Sequence, residues 1–111
     1  LFGNEKDNSF KSTLGAIYQT FDGKDVYPTL EEKAANLLYM LVKNHSFNDG
    51  NKRIAAALFI YFLEKNNLLF DSNKNPIIDN NTLAAMTLMI ALSKPEEKEI
   101  MCLLVLNMLN K

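Results

Sequence analysis

Residues 29–66 read TLEEKAANLLYMLVKNHSFNDGNKRIAAALFIYFLEKN, two helical patterns separated by a short polar break. Thr29 followed three residues later by Glu32 is a capping box, and Pro28 stops whatever precedes it. Leu30, Ala34, Leu37, Leu38, Leu41 and Val42 then recur at the spacing of one helix face, which predicts a helix to about Asn44. Residues 45–50 break the pattern. A second helix is predicted from about Asn51 to Asn66. Its residues Ile54, Ala55, Ala57, Leu58, Phe59, Ile60, Phe62 and Leu63 are apolar on nearly every side, so the sequence places it at the centre of a bundle.

Outward from this pair the chain stays helical on one side and changes on the other. Residues 71–76 are a loop by composition. Residues 80–92 form a largely apolar helix through Leu83, Met86, Thr87, Leu88, Ile90 and Ala91. Ser93-Lys94-Pro95-Glu96 reads as a second capping box, opening a last helix from Glu97 to about Leu109 with Ile100, Leu103, Leu104 and Leu106 inward. On the N-terminal side, Asp22-Gly23 is a tight-turn dipeptide. It is flanked by Ile17, Tyr18, Thr20 and Phe21 on one side and by Val26 and Tyr27 on the other, which predicts a β-hairpin over about 12–27. Residues 1–11 are polar and aperiodic and read as a linker or tail. The expected fold class is all-α, a compact helical bundle over about 29–110 with a short N-terminal β-hairpin flap.

Composition removes several classes of function. The chain has 111 residues, the length of one domain, and 48% of them are apolar. Twelve basic residues against thirteen acidic ones give a net charge of -1, so there is no general field for nucleic acid or anionic lipid. One cysteine, Cys102, excludes an internal disulfide framework, and one histidine excludes a His-cluster zinc site. No apolar run approaches the roughly 18 residues of a membrane span. The chain starts at Leu1 and reads as a piece of a longer polypeptide.

The chemistry concentrates in the break. Gly50 allows a sharp turn, and a helix follows at once. The unpaired N–H groups of Gly50, Asn51, Lys52 and Arg53 at its N-terminus form an anion site. Lys52 and Arg53 are cations at the positive end of a helix dipole, each unfavourable by roughly 0.3–1 kcal/mol unless an anion binds there. A bound polyphosphate reverses that sign. Asp49 suits Mg²⁺, which takes one or two carboxylates together with phosphate oxygens. His45 is the natural general base for a hydroxyl nucleophile. Phe47 is apolar in a polar loop and reads as its anchor. Each of these has a plain alternative: Asn-Asp-Gly-Asn is a common turn, Lys-Arg a solvated pair, and a lone His a helix cap. The ordered set is what points to phosphoryl chemistry.

His45-x-Phe47-x-Asp49-Gly50-Asn51-Lys52-Arg53 resembles the signature of the Fic/Doc family, H-x-F-x-[DE]-G-N-[GK]-R, at all seven specified positions. The hairpin before a helical bundle also fits that family, over roughly residues 12–110. The resemblance implies an enzyme that moves part of a nucleoside triphosphate, ATP or another, to a Ser, Thr or Tyr hydroxyl of a target protein. It implies His45 as base, Asp49 as Mg²⁺ ligand, Gly50, Asn51, Lys52 and Arg53 as the phosphate site, and Phe47 as structural anchor. The flap, through Ile17, Tyr18 and Gln19, would hold the target segment by strand addition.

Two departures from the AMP-transferring form of the motif, H-P-F-x-[DE]-G-N-G-R-x-x-R, matter. Lys52 replaces the second glycine, and Ala56 stands where the last arginine would contact the nucleotide. Both resemble the Doc branch, which transfers phosphate, while Gly50 resembles the Fic branch. The reading leans to phosphate over AMP. The alternative from another class is a catalytically silent module of the same fold that binds a nucleotide or a partner. The family's inhibitory pattern [ST]-x-x-x-E-[GN] is not met, since Ser93 and Glu97 are followed by Lys98. An inhibitor is therefore expected in a separate antitoxin-like protein or a segment outside this chain. The expected location is the bacterial cytoplasm, with delivery into a host cell the other route. Met86, Met89, Met101 and Met108 read as core gap-fillers and Cys102 as a small core residue. Tyr18 and Tyr27 read as packing against the bundle.

Overall fold

The computed structural model of the chain describes residues 15–18, 20–21, 24–43 and 51–110. In order these form strands β1 (Thr20–Phe21) and β2 (Lys24–Asp25) and helices α1 (Leu30–Lys43), α2 (Asn51–Lys65), α3 (Asn80–Leu92) and α4 (Lys98–Leu109). A 3-10 turn, Pro95–Glu97, leads into α4. The fold is all-α, as the sequence implies.

The strands pair antiparallel, Thr20 with Asp25 and Phe21 with Lys24, and the predicted turn dipeptide Asp22-Gly23 lies outside the described residues. The strands are shorter than predicted. Residues 15–17 form a helical turn instead, and Ile17 is fully buried in the hydrophobic core. A hairpin of this size is marginal alone, and removing Ile17 from water stabilises the chain more than one further ladder pair would.

The capping box of α1 is made. The Glu32 N–H donates to Thr29 Oγ1 at 3.0 Å, and the Thr29 N–H donates to Glu32 Oε1 at 3.2 Å. Glu31 and Glu32 in the first turn and Lys43 in the last complement the helix dipole. Among the described residues this helix, rather than α2, is the centre of the bundle: α1 packs against α2, α3 and α4, whereas α2 meets α1 and α3. Ala34 and Ala35 are small and fully buried, and α1 buries Leu37, Leu38, Leu41 and Val42 as well. Small residues let neighbouring helices approach closely. α2 turns Ala55, Leu58, Phe59, Phe62 and Leu63 inward but leaves Tyr61 half exposed.

α2 ends through Asn67 in the left-handed region (φ 59°). The Leu68 N–H reaches the Leu63 carbonyl at 2.8 Å and the Asn67 N–H reaches the Glu64 carbonyl at 3.2 Å, the Schellman pattern with asparagine in the usual glycine position. The expected loop follows. Asp71 Oδ1 accepts from the N–H groups of Asn73 and Asn75 at 2.8 and 3.0 Å. Asp79 then caps α3, its carboxylate accepting from the Thr82 N–H at 2.7 Å.

The last two helices depart from expectation in two ways. The second capping box does not form as predicted: only its reciprocal half is present, one residue later, with the Lys94 N–H donating to Glu97 Oε1 at 2.7 Å. Ser93 belongs to the end of α3 instead, its hydroxyl and its N–H both donating to the Ile90 carbonyl, at 2.7 and 3.1 Å. The inward face of α4 is also different: Met101, Val105 and Leu109 are buried, while Ile100, Leu103 and Leu104 face outward and Leu106 is only partly covered. α3 likewise buries Leu83, Met86, Thr87 and Ile90 and leaves Leu88 and Met89 about half exposed.

Cys102 is half-buried on α4. Its thiol donates to Asn36 Oδ1 at 3.5 Å, and Asn36 Nδ2 donates to the Glu32 carbonyl at 2.9 Å. Burial pushes the Cys102 thiol up from its ordinary 9.0, against the opposing pull of Lys98. Burial also raises Tyr39, with Cys102 adding to the effect. Both groups hold their protons more tightly in the folded chain than in the unfolded one. Their stabilisation is therefore complete below the ordinary thiol value and is lost as pH rises through the raised one. The melting temperature should fall on the alkaline side of pH 9.0, and Cys102→Ala should flatten that fall. An equal alkaline slope in the variant would remove Cys102 as a cause.

Candidate functional site

α2 begins at Asn51, as the motif requires, and its first turn contains no acidic residue. Asn51, Lys52 and Arg53 therefore form the first turn of a 15-residue helix, where N–H groups have no intrahelical partner and favour an anion. Arg53 is exposed. One turn on, Ala56 is partly buried and packs against the core. Arg53 and Ala56 form one wall of a cleft of about 440 Å³, and the other wall is α3, through Asn80, Leu83, Ala84, Thr87 and Leu88. The volume is within the range of small-molecule sites. Its lining is mainly apolar, with Asn80 and the Arg53 guanidinium as polar groups. Thr87 keeps its hydroxyl paired internally, donating to the Ala84 carbonyl at 2.9 Å.

His45, Phe47, Asp49, Gly50 and Gln19 lie outside the described residues. The structure places the remaining sequence-derived residues in two groups. Arg53 stands at the cleft, at the head of α2. Ile17 and Tyr18, expected together on the flap, separate: Ile17 belongs to the core, and Tyr18 is half exposed. The Tyr18 ring lies 6.4 Å from that of Phe62, and the Lys33 ammonium is 5.6 Å from its centroid.

Two lysines escaped the sequence reading. Lys43 ends α1, two residues before His45. Its Nζ donates to the Ser93 carbonyl at 2.6 Å and more weakly to the Ala91 carbonyl at 3.5 Å. It therefore places a cation at the carbonyl end of α3, where the dipole favours one, and ties the end of α1 to it. Lys33 is 5% exposed and donates from Nζ to the Tyr27 carbonyl. A signal for Lys33 was present: it falls on the apolar stripe of α1 between Leu30 and Leu37.

The family model that matches the chain is that of the Fic/DOC family, over residues 2–63. This span contains the hairpin, α1, the whole His45–Arg53 motif and most of α2. The chain belongs to the Fic/DOC family. It is 51% identical over 47 residues to the Toxin Doc of Mycolicibacterium smegmatis, a stretch covering 42% of this chain and 36% of the toxin. The chain thus spans about a third of the length of that curated relative. No solved structure matches it. Among the described residues no group of three or more His, Cys, Asp or Glu side chains could hold a metal ion. Among the same residues no helix is long and apolar enough to cross a membrane. In the sequence the motif falls between the end of α1 at Lys43 and the first turn of α2.

Proposed function

We propose that the chain is a Fic/Doc-type transferase that moves the terminal phosphate of a nucleoside triphosphate, ATP or another, to a hydroxyl of a target protein. The observation that carries the reading is the intact His45–Arg53 motif, which lies inside the family match and runs into the acid-free first turn of α2. In this reading the His45 imidazole takes the proton of the target hydroxyl. The hydroxyl oxygen bonds to the terminal phosphorus as the bond to the bridging oxygen breaks. ADP leaves when the donor is ATP, and the proton passes from His45 to solvent. Arg53, Asn51, Lys52 and the backbone from Gly50 onward hold the phosphate oxygens. A single carboxylate beside a phosphate site is a donor set that suits Mg²⁺. Asp49 would hold the ion, which when bound neutralises phosphate charge. The β1–β2 hairpin would present an edge to which the target segment adds as a strand.

Ala56 favours phosphate over AMP. A methyl group there cannot grip a phosphate, so one contact of the AMP-transferring form is absent. The relative's name, Toxin Doc, supports a toxin role, to which the proposal adds a separate antitoxin as partner and a bacterial cytoplasmic location. The test is label transfer in a bacterial lysate with Mg²⁺, run in parallel with ATP labelled at the α- or the γ-phosphate. Protein labelled from the γ position alone, and not in a His45→Ala control, is the expected result. Label from the α position would establish AMP transfer instead. His45-dependent label from neither position, with ATP and with the other triphosphates, would favour a catalytically silent nucleotide- or partner-binding module.

A further inference from the structure

Tyr18 lies two residues before β1, and Tyr27 lies two residues after β2. One ammonium group touches both. Lys33 Nζ donates to the Tyr27 carbonyl and sits 5.6 Å from the centroid of the Tyr18 ring. Lys33 is 5% exposed on the face of α1 that the core covers. Burying an ammonium group is unfavourable unless its hydrogen bonds are met. An apolar residue of the same length would fill that position without the penalty, so the head group has a structural task. The ladder between β1 and β2 is two residues long, too short to fix its own orientation. The points where it joins the helices help to set its placement relative to them, and Lys33 grips both.

We propose that Lys33 is the clamp that closes the base of the hairpin onto α1, and so sets where the β1–β2 edge lies relative to the motif at the head of α2. It is a positioning residue. Its effect on a substrate rests on the proposed reading that a target strand adds to this edge. In that reading a shifted edge weakens capture of the target and leaves the handling of nucleotide alone.

Backbone hydrogen exchange on the full chain tests the clamp without any substrate. In Lys33→Met the Thr20–Asp25 amides should lose protection by about tenfold or more, with the amides of α2 and α3 unchanged. Lys33→Arg should recover most of the loss. Tyr18→Leu, which removes only the ring contact, should show a smaller loss and covers the case in which Lys33→Met does not fold. Unchanged hairpin protection in Lys33→Met, or in Tyr18→Leu if that is the variant that folds, overturns the clamp. So does an equal loss across all helices, which would make Lys33 a general core residue. The second measurement is γ-label transfer to lysate protein across a lysate dilution series. Lys33→Met should need about tenfold more lysate for half-maximal labelling, while the rise in melting temperature with ATP and Mg²⁺ stays the same. Wild-type chain that labels nothing would defeat the functional reading, and the exchange result would still decide the clamp.

Discussion

Replacing His45 by alanine should lower label transfer by about 100- to 10,000-fold and leave the nucleotide-induced rise in melting temperature in place. The two effects separate because they depend on different groups. The chain has one histidine, so no second imidazole can substitute as base. Phosphate binding in this reading depends on the first turn of α2 and on Arg53, which follow His45 in the chain. Arg53→Ala should give the opposite pattern, with the nucleotide-induced shift reduced. Transfer that survives in His45→Ala would move the base elsewhere or remove the need for one. Loss of the nucleotide-induced shift in the same variant would make His45 part of the binding site.

What could be read from the sequence was the chemistry that acts over a few residues. The Thr29–Glu32 box, the Asp71 loop and the start of α2 at Asn51 all follow from side chains within four positions of one another. Readings that needed a direction in space were less secure. α2, α3 and α4 carry apolar residues on most sides, so periodicity gives little indication of which side faces in. That is why Ile100, Leu103 and Leu104 were expected inside and are outside, and why α2 rather than α1 was expected at the centre. Ile17 fits a strand by propensity, but tertiary burial decided its place. The motif was legible as a pattern of residue types. The wall facing Arg53 was not, because Asn80 and Leu88 are far along the chain and carry no local sign of the cleft. Lys43 acts through carbonyl groups, which are the same in every residue and leave no trace in sequence, whereas Lys33 shows only as a charge on the apolar stripe of α1.

Phe59→Ala is expected to be the most damaging substitution for stability. Phe59 is the largest of the fully buried side chains and lies on the inner face of α2. Truncating a buried phenylalanine costs about 3–5 kcal/mol through lost burial and the cavity left behind. A domain of this size has roughly 5–15 kcal/mol in total, so the loss is a large part of it. The melting temperature should drop by roughly 10–25 °C. Tyr61→Ala, two residues along the same helix, is the control. Tyr61 is half exposed, and its one described ring contact is Lys65, whose ammonium lies 5.5 Å from the centroid. Its loss should cost about 1 kcal/mol or less. The pair separates burial from aromatic content, and it reads out the orientation of α2 directly. Arg53 is six residues before Phe59 on this helix, so its position depends on how firmly α2 is seated. Label transfer by Phe59→Ala should therefore fall at temperatures below its own unfolding midpoint, while Tyr61→Ala keeps normal transfer. Equal stability losses in the two variants would mean that α2 turns a different face to the core, and the cleft between Arg53 and α3 would have to be redrawn with it.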